Sequence, residues 1–181
     1  MKLDFKNIVM EVAKMLAVSA KTAPKARGID DLEIVILTND EDLEKLAAKM
    51  DELSKDEKLK FFARDAGNVR QSHAVLLLGV KSSKSKELDC GGCGLETCSE
   101  FRKTVRRSGK GYTGPSCVFQ LMDLGIAVGS AVKTASIFNI DNRVMYSIGV
   151  AALKLGLLKE SEIALGIPLS AYGKNIYYDR K

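Results

Sequence analysis

The sequence contains no tryptophan, one histidine, three prolines and four cysteines in 181 residues. A single histidine excludes any site assembled from several imidazoles. No apolar run approaches the roughly 18–20 residues that a bilayer crossing requires. The stretch "MLAVSAK" looks like the end of a signal peptide, but Asp4, Lys6, Glu11 and Lys14 interrupt the apolar region such a signal needs. A cytoplasmic protein with no membrane association is therefore expected. One-signed charge is also scarce. The net charge of +5 is mild, and falls short of the footprint of a nucleic-acid-binding domain. Acidic and basic residues are mixed along the chain, which argues against disorder. With 46% hydrophobic residues, the chain can bury a core, and its length predicts one domain over residues 1–181.

Hydrophobic spacing then locates the elements. Phe5, Ile8, Val9, Val12, Met15 and Leu16 recur at helical intervals, and the segment from Thr22 to Gly28, with Pro24 and Gly28, ends that helix. "LEIVIL" (Leu32–Leu37) reads as a strand buried on both faces. A helix capped by Thr38 or Asn39 buries Leu43, Leu46, Ala47, Met50 and Leu53. A further helix is expected from Asp56 to about Asn68, and a buried strand at Ala74–Val80. After the polar connector "KSSKSKELD", a basic helix is expected near Leu95–Ser108. A long helix comes next, from about Val118 to Ser136, then one from Asp141 to Leu155. Strands are expected at Ile163–Leu169 and in "NIYYDR". Helices between strands argue for a layered arrangement of helices on a sheet. Gly125, Gly129, Ser130 and Ala131 on the long helix suggest tight core packing or close approach to a flat ligand.

Three of the four cysteines fall within "CGGCGLETC" (Cys90, Cys93, Cys98), and the fourth is Cys117. In a reducing compartment clustered thiols point to metal or redox chemistry before disulfides. Thiolates are soft ligands for iron or zinc. Gly91, Gly92 and Gly94 let the chain curl so that successive sulfurs face one centre, and backbone N–H groups exposed by the curl can donate to them. Structural zinc usually takes two C-x2-C knuckles or adds histidines. The second knuckle is absent, and His73 lies outside the stretch ahead of a strand. Three local ligands and one remote ligand fit an iron–sulfur centre best, with C-x2-C-x4-C reversing the plant-type spacers. Structural zinc and free or sensor thiols remain as alternatives.

This four-cysteine pattern resembles the [4Fe–4S] segment of corrinoid iron–sulfur proteins and of the ferredoxin-like subunit of membrane electron-transport complexes. The resemblance implies that Cys90, Cys93, Cys98 and Cys117 are all ligands, on an insertion spanning residues 88–117. "TAPKARGIDDLEIVIL", "CGGCG", "DLGIAVGSAV", "DNRVMYSIGVAA" and "GIPLSAYGKNIYYDR" are similar to a bacterial and archaeal family of uncharacterised proteins named for a ferredoxin domain. The chain also resembles the nitroreductases. "TAPKARGIDDLEIVIL" lies without gaps over their A-P-S-x-x-N-x-Q-P-W stretch, "DLGIAVGSAVKTASIFNID" over their long helix, and "IALGIP" over a strand near their C-terminus. That resemblance implies an α+β sandwich, a homodimer through long helices, and FMN at the dimer interface. Gly28 and Asp30 stand where the nitroreductase asparagine and glutamine contact flavin. The basic N-terminal segment that holds the flavin phosphate has no counterpart. If FMN binds, Lys21, Lys25, Arg27, Lys174 and Arg180 are the candidates for its phosphate; otherwise they are a solvated basic loop and an ordinary terminal strand. A cluster beside a flavin would form a short electron relay.

Finally, Arg102 with Arg106, and Lys103 with Arg107, would stack at i, i+4 spacing on the basic helix. Such cations suit an anionic cluster or a redox partner with an acidic face. For nucleic acid only Phe101 and Tyr112 offer stacking groups, and a solvated helix face is the ordinary fate of such a run. No pattern for a catalytic nucleophile or acid–base pair is present. The chain reads as an iron–sulfur redox protein, an electron carrier or a flavin-dependent oxidoreductase, with a zinc-stabilised binding or sensor module as the alternative.

Overall fold

The computed structural model describes residues 2–178. Its centre is a four-stranded antiparallel sheet, ordered β1 (Leu32–Leu37), β2 (Ala74–Val80), β6 (Ile163–Ser170) and β5 (Asp141–Asn142). Leu32 pairs with Val80, Ala74 with Leu169 and Asp141 with Ser170. A two-stranded hairpin, β3 (Arg107–Ser108) and β4 (Thr113–Gly114), stands apart. The helices are α1 (Phe5–Thr22), α2 (Asp40–Leu53), α3 (Phe61–Arg70), α4 (Cys98–Lys103), α5 (Val118–Ile137) and α6 (Tyr146–Lys154).

β2 is apolar at nearly every position because it is central and covered on both faces, and all seven of its residues are buried. Ala74, Leu76, Leu78 and Val80 pack under α1 and α5 with Val9, Leu16, Leu124 and Ala131. Val75 and Leu77 face the other way, into a second core with α2, α3 and α6 that includes Leu46, Met50, Phe62 and Ile148. The result is three layers: helices, sheet, helices. On the second side α6 lies almost on the backbone of β6. A Cβ at Gly149 would sit 1.9 Å from the Ala164 carbonyl oxygen, and one at Gly166 would sit 2.0 Å from Ile148.

Several expectations are corrected. β1 is an edge strand with five half-buried residues, not a strand buried on both faces. "NIYYDR" forms no strand over its described part: Asn175–Tyr178 turns, and Tyr177 enters the core with its hydroxyl 3.0 Å from Ser72 Oγ. Asp179 and Arg180 lie outside the described residues. Asp141 sits in β5, and the next helix starts only at Tyr146. Gly125 and Gly129 do not serve core packing. Both are exposed, with nothing within 4 Å of a Cβ built at either. They belong to an outer face of α5 that also shows Leu121, Met122 and Ile126. By length and composition α5 could cross a membrane; here its inner face packs on α1 and the sheet.

Candidate metal centre

After β2 the chain leaves the sheet as a strap (residues 81–89) that delivers the cysteines. The strap is rich in lysine and serine, and polar contacts rather than apolar packing fix it. Lys86 is buried to 2% exposure. Its ammonium donates to the Ile29 carbonyl at 2.8 Å and to Asp31 Oδ2 at 2.9 Å, and lies 3.1 Å from Asp123 Oδ2. Gln120 Nε2 also donates to Asp31 Oδ2, at 2.9 Å, and Ala26 N donates to Asp123 Oδ1 at 2.9 Å. Burial alone would lower the Lys86 pKa, but bonds to Asp31 and Asp123 outweigh it and raise the pKa. Burial likewise opposes ionisation of Asp31, yet donors on Lys84, Lys86 and Gln120 hold its carboxyl at about 2. This hub ties the strap to the turn after α1 and to the first turns of α5. It carried no sequence signature beyond Gln120 and Asp123, two polar residues three apart on an apolar helix.

All four cysteines then line one pocket, together with Ser85, Asp89, Leu95, Thr97, Phe101 and Val118. Cys90 is exposed, Cys93 and Cys98 are half-buried, and Cys117 is buried. Asp89, Gly91 and Gly94 take positive φ (43°, 69° and 86°), so the curl expected from the glycines is present and begins one residue before the first cysteine. Cys98 opens α4, and its N–H donates to Asp89 Oδ1 at 2.6 Å. Cys117 is the N-cap of the 20-residue α5, and its N–H donates to Ser82 O at 2.9 Å. Cys117 therefore sits at the N-terminal end of a long helix. Among the described residues no three His, Cys, Asp or Glu side chains lie close enough to share one metal ion. His73 is a structural residue, its Nδ1 accepting from Ala171 N at 3.3 Å.

The basic helix is shorter than expected. α4 ends at Lys103, Thr104 is extended (φ −69°, ψ 134°), and Arg106 and Arg107 lie beyond the helix, so the i, i+4 cation stacking does not form. Arg102 pairs with Glu87. Arg106 pairs with Glu162 at 2.7 Å and donates to the carbonyls of Thr113 and Pro115. These arginines bind the hairpin and strap to the sandwich.

The cations of the α1–β1 turn are also engaged. The Lys25 ammonium donates to the backbone carbonyls of Ala20, Lys21 and Ala23, and lies 3.8 Å from Asp30 Oδ1. An ammonium has three donors, so Lys25 caps the end of α1 and has none left for a phosphate. Lys21 pairs with Asp30 and borders an open apolar groove with Ala17, Val18, Thr22 and Ile34. Arg27, at φ 59°, donates to the Lys86 carbonyl at 3.1 Å. Lys174 lies in the turn after β6 and has interactions of its own. Arg180 is outside the described residues.

Comparison with known proteins places this architecture. The family described as "Uncharacterized protein containing a ferredoxin domain" matches residues 113–180, a span that includes Cys117 but not the other three cysteines. An uncharacterized protein of Archaeoglobus fulgidus is 48% identical over 178 residues, covering 98% of this chain and 95% of that protein. A nitroreductase with bound FMN from Desulfitobacterium hafniense superposes with a TM-score of 0.60 at 13% identity, covering 96% of this chain and 92% of that one. A nitroreductase family protein from Clostridium novyi gives 0.58 at 12% identity, covering 97% and 80%. The fold is the α+β sandwich of the nitroreductases.

Proposed function

We propose that this chain, which belongs to the family of uncharacterized proteins containing a ferredoxin domain, is a redox protein that holds a [4Fe–4S] cluster through Cys90, Cys93, Cys98 and Cys117. One observation carries the reading: four thiols from two separated segments, and the only four in the sequence, line a single pocket. Residues 88–117 are then a cluster-binding insertion in one domain spanning residues 1–181.

The pocket's chemistry fits the group. Leu95, Phe101 and Val118 keep water from one side, and Cys117 sits at the N-terminal end of α5. A zinc ion bonded at about 2.3 Å would draw its sulfurs to about 3.8 Å of one another by tetrahedral geometry. No such set is present among the described residues, so any metal centre here requires the thiols to draw together, and metal analysis decides between iron and zinc. When bound, the cluster supplies one-electron transfer. FMN fits the α1–β1 turn poorly, because Lys25 has no free donor and Lys21 is paired to a carboxylate, so no step is assigned to flavin.

A second copy of the chain is the partner proposed for α5. A helix apolar on all sides is normally covered on all sides, yet Leu121, Met122 and Ile126 are exposed beside two glycines that permit close approach.

Iron and acid-labile sulfide measured on anaerobically purified protein test the reading, with absorption near ~400 nm that bleaches on reduction as the expected signature. Cys98→Ser is expected to lose most of the iron. Full iron retention in that variant, or zinc in place of iron in the parent protein, overturns the assignment.

A further inference from the structure

Resting on that iron–sulfur reading, we infer that Lys103, Val105 and Arg107 form a docking face for an acidic electron-carrier protein. Five cations lie in residues 101–110, and the structure divides them by role. Arg102, Arg106 and Lys110 are each paired to a carboxylate, on Glu87, Glu162 and Asp56 respectively. Lys103 and Arg107 have no carboxylate partner among the described residues, and both are exposed.

The division comes from the backbone. Because α4 stops at Lys103 and the chain runs extended from Thr104, successive side chains alternate in direction. Thr104 and Arg106 turn inward and are half-buried, while Lys103, Val105 and Arg107 turn outward. Val105 is 80% exposed, the most exposed large aliphatic side chain among the described residues. An unburied valine flanked by two unpaired cations is a small apolar centre with a charged rim. Transient redox complexes use such a face, generally burying less than ~1,200 Å².

Position supports the assignment. Lys103 closes the helix that Cys98 opens, about 7.5 Å along its axis, so a partner seated here lies beside the cysteine pocket. Glu96 and Glu100 are exposed toward the other end of α4, Glu100 Oε2 accepting from Glu96 N at 3.2 Å. They repel an acidic partner and confine it to the 103–107 side. Nucleic acid suits the face less well. Phe101 is 4% exposed, and Tyr112 is half-buried with its hydroxyl on the Ala164 carbonyl, so neither ring is free to stack. A cluster held by the four cysteines would take one electron from the partner's reduced centre, with no bond made or broken.

The test is a binding titration of the anaerobically purified full chain with an acidic plant-type ferredoxin at low and high ionic strength. Binding that weakens with salt is expected, together with a rise in Kd of at least about tenfold in the double variant Lys103→Glu/Arg107→Glu. Lys14→Glu/Lys45→Glu makes the same change in net charge on the outer faces of α1 and α2, and is expected to leave Kd within about twofold. Three results each overturn the proposal: no association of the parent protein at low salt, equal losses in the two double variants, or tighter binding of a single-stranded oligonucleotide than of the ferredoxin. Iron and sulfide are measured on the same samples. Their absence sinks the cluster reading by itself, whatever the titration shows.

Discussion

Replacing Lys86 with methionine tests how the cysteine strap is fixed. The Lys86 side chain is 1% exposed, and those of Asp31 and Asp123 are 11% and 6% exposed. Methionine keeps most of the volume and removes the charge, leaving two buried carboxylates without their shared cation. Breaking a buried pair in this way costs about 3–5 kcal/mol. The lower end applies, because Asp31 keeps its bonds to Lys84 and Gln120, and Asp123 keeps Ala26 N. For a chain of this length ~3 kcal/mol corresponds to a fall in Tm of about 6–12 °C.

The pH dependence fixes the sign of the effect. In the parent protein Asp31 titrates at about 2 against an ordinary 3.8. Its depressed pKa contributes about 2 kcal/mol, present above pH 4 and lost as pH falls toward 2. In Lys86→Met the two carboxylates face each other without the cation, so one of them gains a proton more easily. The variant should lose less stability than the parent between neutral pH and about pH 4. The triple variant Asp31→Asn/Lys86→Met/Asp123→Asn should recover most of the loss, since no buried charge remains. Urea unfolding followed by circular dichroism across pH 4–8 measures all three proteins. A loss below ~1 kcal/mol in Lys86→Met, or a triple variant no better than the single, refutes the hub as an electrostatic joint.

Three further expectations concern other parts of the molecule. Gly149→Ala places a methyl 1.9 Å from the Ala164 carbonyl and must push α6 off β6, so it should cost at least about 2–3 kcal/mol in urea unfolding; near-neutral behaviour would mean that the two elements are not closely packed. Added FMN should show no stoichiometric quenching of its fluorescence, because Lys25 is saturated by carbonyls; tight FMN binding that Lys25→Ala abolishes would contradict this reading of the turn. Ile126→Glu, on the exposed face of α5, should convert a dimer to a monomer in analytical ultracentrifugation while leaving Tm nearly unchanged, and an unaltered sedimentation coefficient would remove α5 as the interface.

The legible parts of the fold were those in which local pattern and tertiary role agree. β1 and β2 fall at the residues their apolar runs mark, and α5 differs from its expected end by one residue. Sequence reasoning failed where long-range partners decide. A basic helix was expected near Leu95–Ser108, but Arg106 is drawn away by Glu162 and the carbonyls of Thr113 and Pro115, and the helix runs only from Cys98 to Lys103. β5 is two residues long and is recruited by the edge of β6, a signal too short for any periodicity. Tyr177 sits in a stretch rich in β-formers, yet it fills a gap beside Ser72 instead of adding a strand. The four thiols that line one pocket announced themselves by spacing. Lys86 did not, because a lysine in a polar connector looks the same whether it is solvated or buried.

That asymmetry reflects how the molecule divides its stabilising forces. The sandwich is held by two apolar cores, whose contribution scales with buried area and is nearly indifferent to salt. The pocket is held differently. Its strap, short helix and hairpin hang on Lys86 with Asp31 and Asp123, Arg102 with Glu87, Arg106 with Glu162 and Lys110 with Asp56. Tyr112 adds a hydroxyl on Ala164, and little apolar core lies between. Charges so placed fix direction without demanding close packing. The exposed pairs among them are screened by salt, while the Lys86 joint is not. High salt should therefore loosen the rim of the pocket, at Arg102 and Lys110, before it disturbs the anchor four residues ahead of Cys90.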